Sequence, residues 1–353
     1  MTARTEPWLR RGPLWTPLLR LLSLLYRLGW ACLRLAHGRQ PLVLPRPVLS
    51  VGNLSVGGTG KSMVARALAG RAARRGLGPA LLLRGYGSAS GPRPLLVSRG
   101  QGPLVGPEAS GDEAAEHASG RGWAVWIGPD RAAAASEAVA QGANCLVLDD
   151  GFQRRWQLAR NLDLLLVDFG QVQAGEALLP AGPFREPWSQ AALADAVLVS
   201  GAPKGMDAKA LRAALPGAWT QGAVFRLDRR PTGLQTWPGG GRLPLALLRK
   251  APVLALSGLG QPRHFEDTLR DLGAQVRPWR FPDHHRFSLA ELQAPPGDAG
   301  LVVTTVKDAV RLPASWKPRA RVCVLQAEAL VTPAAPFWRL VDAALKGGTA
   351  QRT

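Results

Sequence analysis

Apolar positions along this chain form three kinds of pattern. Short unbroken runs, bounded by glycine, proline or charge, occupy Val48–Val51, Pro79–Leu83, Trp123–Ile127, Cys145–Leu148, Leu164–Val167 and Ala196–Val199. Runs of that length are the form of strands buried on both faces of a sheet. Between them, Lys61 to about Arg75, Asp112–His117 and Asp130–Ala140 read as helices. Strand alternating with helix predicts an α/β fold, a parallel sheet covered by helices on both faces.

The second pattern is a gap and a restart. From about Gly217 to Lys250 the sequence loosens into proline, glycine and arginine, with one short alternating strand at Ala223–Leu227. A new series then begins: a strand at Val253–Leu256, a helix through Phe265–Leu272, a strand at Leu301–Thr304 and a closing helix at Pro333–Leu345. The expected division is an N-terminal helix region (1–40), a core domain (41–220), a linker (221–251), a smaller C-terminal α/β domain (252–332) and a C-terminal helix and tail (333–353).

The third pattern is the N-terminal stretch Leu14–Ala36. Arg20, Arg27 and Arg34 interrupt it, so its uncharged pieces fall well short of the ~18 residues of a spanning helix. No small-residue cleavage site follows it, which argues against a signal peptide. Thr16, Ser23 and the three arginines recur at helical spacing on one narrow stripe, and leucine, tryptophan and tyrosine fill the rest. A wide apolar face with a thin basic stripe is expected to lie in a membrane surface, the competing reading being a helix docked on its own domain.

Composition sharpens this picture. Lys and Arg outnumber Asp and Glu by 44 to 25, a net charge of +19 that calls for an anionic partner such as nucleic acid, acidic lipid or a phosphorylated substrate. Cys32, Cys145 and Cys323 are odd in number and far apart, which excludes a disulfide framework and a thiolate zinc site and fits a reducing compartment.

The strongest chemical signal is the stretch Gly52, Asn53, Leu54, Ser55, Val56, Gly57, Gly58, Thr59, Gly60, Lys61 and Ser62, which follows a strand and opens a helix. That is the setting of a P-loop: backbone N–H groups curl around phosphate, the lysine reaches the β- and γ-phosphates, and the hydroxyl of Ser62 ligates Mg²⁺. Ser55 stands where the strict pattern has glycine. An apolar strand ending in Asp149 and Asp150 has the layout of a Walker B element, the second partner a P-loop needs for its metal.

Asp112, within Gly111-Asp112-Glu113, reads either as a helix N-cap or as a general base for a hydroxyl nucleophile. The loop Phe281–Phe287 carries His284 and His285 and runs into Ser288 and Glu291, a capping-box pattern. A histidine there is expected to orient an acid in the cleft between domains. Arg84 and Tyr86, in Arg84-Gly85-Tyr86-Gly87, and Arg185, in the 179–187 loop, lie beyond strand ends, where α/β proteins hold ligands; each arginine reads equally as a phosphate clamp or as solvated surface.

Together these stretches resemble one family, the tetraacyldisaccharide 4′-kinases, which phosphorylate a lipid A precursor. The resemblance rests on V-G-N-L-S-V-G-G-T-G-K-S (51–62), R-G-Y-G, G-D-E, D-D-G-F-Q, L-L-P-A-G-P-F-R-E-P, L-S-G-L-G-Q-P-R-H-F-E-D-T-L-R-D-L-G, F-P-D-H-H-R-F and T-T-V-K-D-A-V-R-L, in order between residues 51 and 312. It implies a P-loop core, a smaller α/β domain, a two-stranded link and a membrane-docking N-terminal helix at the cytoplasmic face of the inner membrane. ATP and Mg²⁺ are the implied cofactors, and the 4′-hydroxyl of an acylated glucosamine disaccharide 1-phosphate is the implied acceptor.

By the same resemblance Lys61 and Ser62 serve phosphate and metal, Asp149 and Asp150 the Walker B role, and Asp112 the base, paired with His284. Arg84, Tyr86, Gln153 and Arg185 are the implied acceptor contacts. Arg154 stands where the family usually has histidine after D-D-G-x-Q, and Ser62-Met63 replaces the usual Thr-Pro.

Two other classes fit less well. A P-loop GTPase or ATPase switch of metallochaperone type needs a guanine-reading N/T-K-x-D loop, and in Thr305-Val306-Lys307-Asp308 the lysine and aspartate are adjacent. A nucleic-acid-binding module would interleave aromatic and basic residues on one face, and the 12 tryptophans form no such stripe. No nucleic-acid partner is expected.

Overall fold

The computed structural model describes residues 16–347, apart from 37–39, 90, 121, 218, 220, 298 and 299. The first residues of the 1–40 region and the tail after 347 lie outside the described residues. Thirteen strands form one sheet: β1 Val48–Asn53, β2 Pro79–Leu83, β3 Leu95–Ser98, β4 Ala124–Ile127, β5 Cys145–Asp149, β6 Leu162–Asp168, β7 Ala196–Ser200, β8 Ala223–Trp237, β9 Arg242–Leu243, β10 Pro252–Ser257, β11 Gln275–Arg280, β12 Leu301–Thr305 and β13 Arg321–Thr332. Their order is β11-β10-β12-β13-β8-β7-β6-β1-β5-β2-β4-β3, with β9 paired to β8. The strands from β7 to β4 run parallel, as the unbroken apolar runs require, and all six residues of β1 and all five of β5 are buried.

The long antiparallel pair β8–β13 organises the whole sheet. Its Ala223–Leu227 end continues β7, while the other end, Leu234–Trp237, pairs with Val322–Leu325 of β13, which continue β12. Strands of the first half therefore point along β8 toward the second half, and strands of the second half point back. The carboxyl ends of both sets face each other across one cleft, the position at which parallel sheets bind ligands.

Besides the short β3 and β9, which had no expected counterpart, three strands escape the apolar pattern. β8 runs ten residues beyond the expected Ala223–Leu227, because its middle (Arg229, Arg230) is solvent-facing ribbon with no buried face to imprint a period of two. β13 alternates only weakly because its Val322–Leu325 end is an unbroken buried run and its middle belongs to the exposed ribbon. β11 is an edge strand holding Pro278, which cannot donate to a ladder and reads as a loop.

Helix α1 (Thr16–Ala36) does dock on the core half, but by a single seam. The Ser23 hydroxyl donates to Leu178 O at 2.9 Å and accepts from Ala181 N, Tyr26 donates to Arg185 O, and Arg34 donates to Gln190. Residues of the polar stripe thus turn inward to satisfy the 178–190 segment, where the sequence pattern alone pointed them at a membrane. The apolar side stays uncovered, with Leu21, Leu25 and Leu28 each 55% exposed. No helix among the described residues is long and apolar enough to cross a membrane.

The closing helix Ala334–Lys346 packs on the core half rather than the second half. Phe337 and Val341 join the cluster of Leu49, Val51 and Leu68, Phe337 meets Phe225 edge to face at 5.4 Å, and Asp342 accepts from Arg71 at 2.6 and 2.9 Å. Phe337→Ala should lower stability by about 3–5 kcal/mol, seen as a fall in the thermal unfolding midpoint. Arg230→Ala, which removes the exposed pair with Glu328, should change stability by no more than about 1 kcal/mol.

Candidate active site

β1 and β5 are parallel neighbours with Val51 opposite Asp149, so the P-loop and the two aspartates leave the sheet side by side. Gly52 is required by this approach: a Cβ there would lie 2.3 Å from Phe152 Cβ and 2.5 Å from Phe152 N. Gly57 (φ +115°) and Gly60 (φ +97°) take the left-handed turns that bring the loop into helix α2 (Lys61–Arg74). Ser55 is tolerated because its side chain points away from the turn, donating to Gln171 Oε1 at 2.6 Å, while Gln171 Nε2 donates to Val56 O. Val56 N donates to Pro183 O at 2.8 Å and Arg185 N to Leu54 O at 2.7 Å, so the 183–186 segment backs the loop. Gly58 O accepts from Arg229 of the ribbon.

Lys61 Nζ lies 3.7 Å from Asp150 Oδ1, and Arg185 grips the same carboxylate with two bonds of 3.0 and 3.2 Å. Burial would raise the Asp150 carboxyl, but Lys61 and then Arg185 outweigh it and hold it at about 2. Asp149 is buried, which also favours its neutral form, yet hydrogen bonds from His117 and Ser62 and the charge of Lys61 keep it below the ordinary carboxylate value.

Oxygen donors suited to a hard cation are therefore at hand: the Ser62 hydroxyl, the Asp150 carboxylate and Asp149 Oδ1, which is buried without a protein partner. Among the described residues no group of three or more His, Cys, Asp or Glu could hold a metal by itself. That fits Mg²⁺, which binds through one or two carboxylates together with substrate phosphates and waters.

Asp112 is the first residue of the helix Asp112–Ala118, whose N-cap is Gly111 (φ +80°); Asp112 makes no capping bond. Its Oδ2 instead meets two groups from the second half of the sheet, His284 Nδ1 at 3.5 Å and Arg311 Nε at 3.4 Å. His284 sits at φ +57°, a conformation that costs about 1 kcal/mol or more for a non-glycine residue, and Lys307 Nζ stands 3.3 Å from its other nitrogen. Glu113 lies between the two groups of residues. Desolvation first, then the charges of Asp149 and Asp150, raise its carboxyl above the ordinary value.

The four expected acceptor contacts separate. Arg84 and Tyr86, both exposed, line an open pocket of about 220 Å³ with Gly85, Gly87, Ser88, Gly91 and Pro129. Arg154 joins its rim, donating to Pro129 O, and its guanidinium is destabilised first by desolvation and then by the like charge of Arg84. Gln153 and Arg185 are committed elsewhere: both donate to Asn53 O, and Arg185 also holds Asn53 Oδ1. His285 pairs with Glu291 inside the Ser288 capping box and stays out of the cleft chemistry.

Sequence reasoning overlooked His117, Glu113, Lys307 and Arg311. Lys307 belongs to the segment Thr305–Asp308 weighed and rejected as a guanine reader, and Arg311 follows it by three residues. Asp308 there is fully buried and accepts from Gly258 N, Thr305 and Arg311, so this segment builds the second half's face of the cleft. An arginine and a histidine facing an aspartate across two halves of a sheet have no linear signature.

Comparison with known proteins agrees with this geometry. The family model for tetraacyldisaccharide-1-P 4'-kinase matches residues 15–346. A tetraacyldisaccharide 4'-kinase of Anaeromyxobacter sp. (strain Fw109-5) is 41% identical over 312 residues, covering 86% of this chain and 83% of the relative. Another, from Alkalilimnicola ehrlichii, is 37% identical over 340 residues, with 93% and 92% covered. The crystal structure of the "apo" form of LpxK from Aquifex aeolicus in complex with ATP superposes with a TM-score of 0.74 at 27% identity, covering 92% of this chain and 97% of that one. The chain belongs to the tetraacyldisaccharide-1-P 4'-kinase family.

Proposed function

We propose that the chemistry of this ATP-dependent kinase of the lipid A precursor runs at the cleft between the facing carboxyl ends of the two strand sets. The acceptor is the 4′-hydroxyl of a tetraacyldisaccharide 1-phosphate. The observation that carries the site is the convergence of Lys61, Ser62, Asp149 and Asp150 from one half with His284, Lys307 and Arg311 from the other, and Asp112 between them.

Lys61 and the N–H groups of residues 57–62 bind the β- and γ-phosphates of ATP. Ser62, Asp149 and Asp150 hold Mg²⁺, which when bound neutralises charge on those phosphates. Asp112 accepts the proton of the 4′-hydroxyl as it attacks, and His284 and Arg311 orient the Asp112 carboxylate from across the cleft. Arg84, Tyr86 and Arg154 form a basic rim suited to the acceptor's phosphate.

The protein acts as a peripheral enzyme of the cytoplasmic face of the inner membrane. Support comes from α1, whose leucines stay exposed although the helix is anchored by Ser23, Tyr26 and Arg34.

Lys61→Ala should reduce phosphate transfer from labelled ATP by about 10³-fold or more with an unchanged unfolding midpoint; near-normal turnover would sink the site assignment. Asp112→Asn and His284→Ala should each lower kcat far more than they raise KM, with a less than additive loss in the double variant. Strictly additive losses would assign the two residues independent roles. Replacing Leu21, Leu25 and Leu28 together with glutamate should abolish co-sedimentation with phospholipid vesicles and raise the apparent KM for lipid acceptor, leaving that for ATP unchanged. Retained vesicle binding in that variant would remove α1 from the membrane contact.

A further inference from the structure

His117 has no part in the reaction outlined above, yet it is fully buried directly beneath it. It lies near the end of the helix Asp112–Ala118, with Nε2 2.8 Å from Asp149 Oδ2 and neither side chain more than 4% exposed. The bond spans 32 residues of sequence and joins this helix to the carboxyl end of β5. Asp149 Oδ1 meanwhile has no protein partner. A carboxylate buried at a strand end is costly to hold with one oxygen idle unless the other is fixed. In nucleotide and metal sites a donor behind a carboxylate sets which oxygen is presented to the cation.

We propose that His117 is a positioning residue for Mg·ATP: by donating Nε2–H to Asp149 Oδ2 it fixes the carboxylate and leaves Oδ1 for the nucleotide-bound metal. The proposal rests on the assignment of Asp149 to Mg²⁺. A second contact separates this role from simple support of the helix. Glu116, one residue earlier, accepts from Arg66 of α2 at 2.6 Å, and Trp123 Nε1 donates to His117 O. Neither contact uses the His117 imidazole, so both remain available to hold the helix when that side chain is changed. Loss of the imidazole should therefore appear in metal handling and leave the acceptor's binding unaltered.

The test compares three variants of the full chain, His117→Leu, His117→Asn and His117→Gln. Affinity for a fluorescent ATP analogue is titrated with and without Mg²⁺, and the Mg²⁺ concentration for half-maximal transfer is measured. Glutamine can place an amide N–H where Nε2 stands; asparagine is too short and leucine has no donor. His117→Leu and His117→Asn should raise the half-maximal Mg²⁺ by about 10-fold or more and shrink the Mg²⁺-dependent gain in nucleotide affinity. Metal-free nucleotide binding and the KM for lipid should stay at wild-type values, and His117→Gln should restore most of the deficit.

If the leucine variant does not fold, the contrast between asparagine and glutamine decides. Equal Mg²⁺ dependence in those two, or a loss of metal-free binding as large as the Mg²⁺-dependent loss, overturns the proposal in favour of packing. Asp149→Asn serves as the control. Unaltered Mg²⁺ dependence there overturns the assignment of Asp149 itself, while the kinase reading stands or falls separately on Lys61→Ala.

Discussion

Placing two adjacent carboxylates at the carboxyl end of a buried parallel strand is unfavourable unless each finds a compensating charge or donor, and the site around Asp149 and Asp150 is organised by that requirement. Asp150 takes two cations, Lys61 from the P-loop and Arg185 from the loop behind it. Asp149 is held instead by the imidazole of His117, 2.8 Å from its Oδ2, with Lys61 contributing charge from farther off. The two solutions differ in kind. Lys61 and Arg185 tie Asp150 to the loop, whereas His117 fixes one oxygen of Asp149 and leaves Oδ1 without a protein partner. Remove the pair and the loop has no electrostatic reason to keep its lysine over the strand end.

The second constraint is topological. Because β8 and β13 run antiparallel, the two parallel strand sets are forced to point at each other, and groups separated by more than 150 residues meet at Asp112. Each half contributes what the other lacks: the first carries the glycine loop with Lys61 and Ser62, and the second supplies His284, Lys307 and Arg311. The ribbon is thin and polar in its middle, and Arg229 ties it to the loop by donating to Gly58 O.

Most of the first half was legible in the sequence because its strands are buried on both faces, and the P-loop is a local motif whose geometry follows from its glycines. The same reasoning found Asp112 and His284 but left Asp112 open between cap and base. Only the fold shows Gly111 in the capping position and the carboxylate turned across the cleft. The ribbon and β11 were illegible because exposed strands carry no imposed period. His117 was illegible for another reason: one histidine on a short helix means nothing until the aspartate 32 residues later folds against it. Arg185 and Gln153 were expected as acceptor contacts, and in the folded chain both side chains brace Asn53.

The seam that fastens α1 has a consequence for distance. Ser23 and Tyr26 bond to Leu178, Ala181 and Arg185, and that same short segment bonds Leu54 and Val56 of the phosphate loop. Only a few residues of rigidly bonded backbone separate the helix from the nucleotide loop. Were α1 to lie in a bilayer, as proposed, the donor phosphate would be held at a set height above the lipid surface, as by a spacer. A sugar headgroup would then reach the cleft while its acyl chains remain in the bilayer, and acceptors would be sorted by how far their hydroxyl stands from their tails.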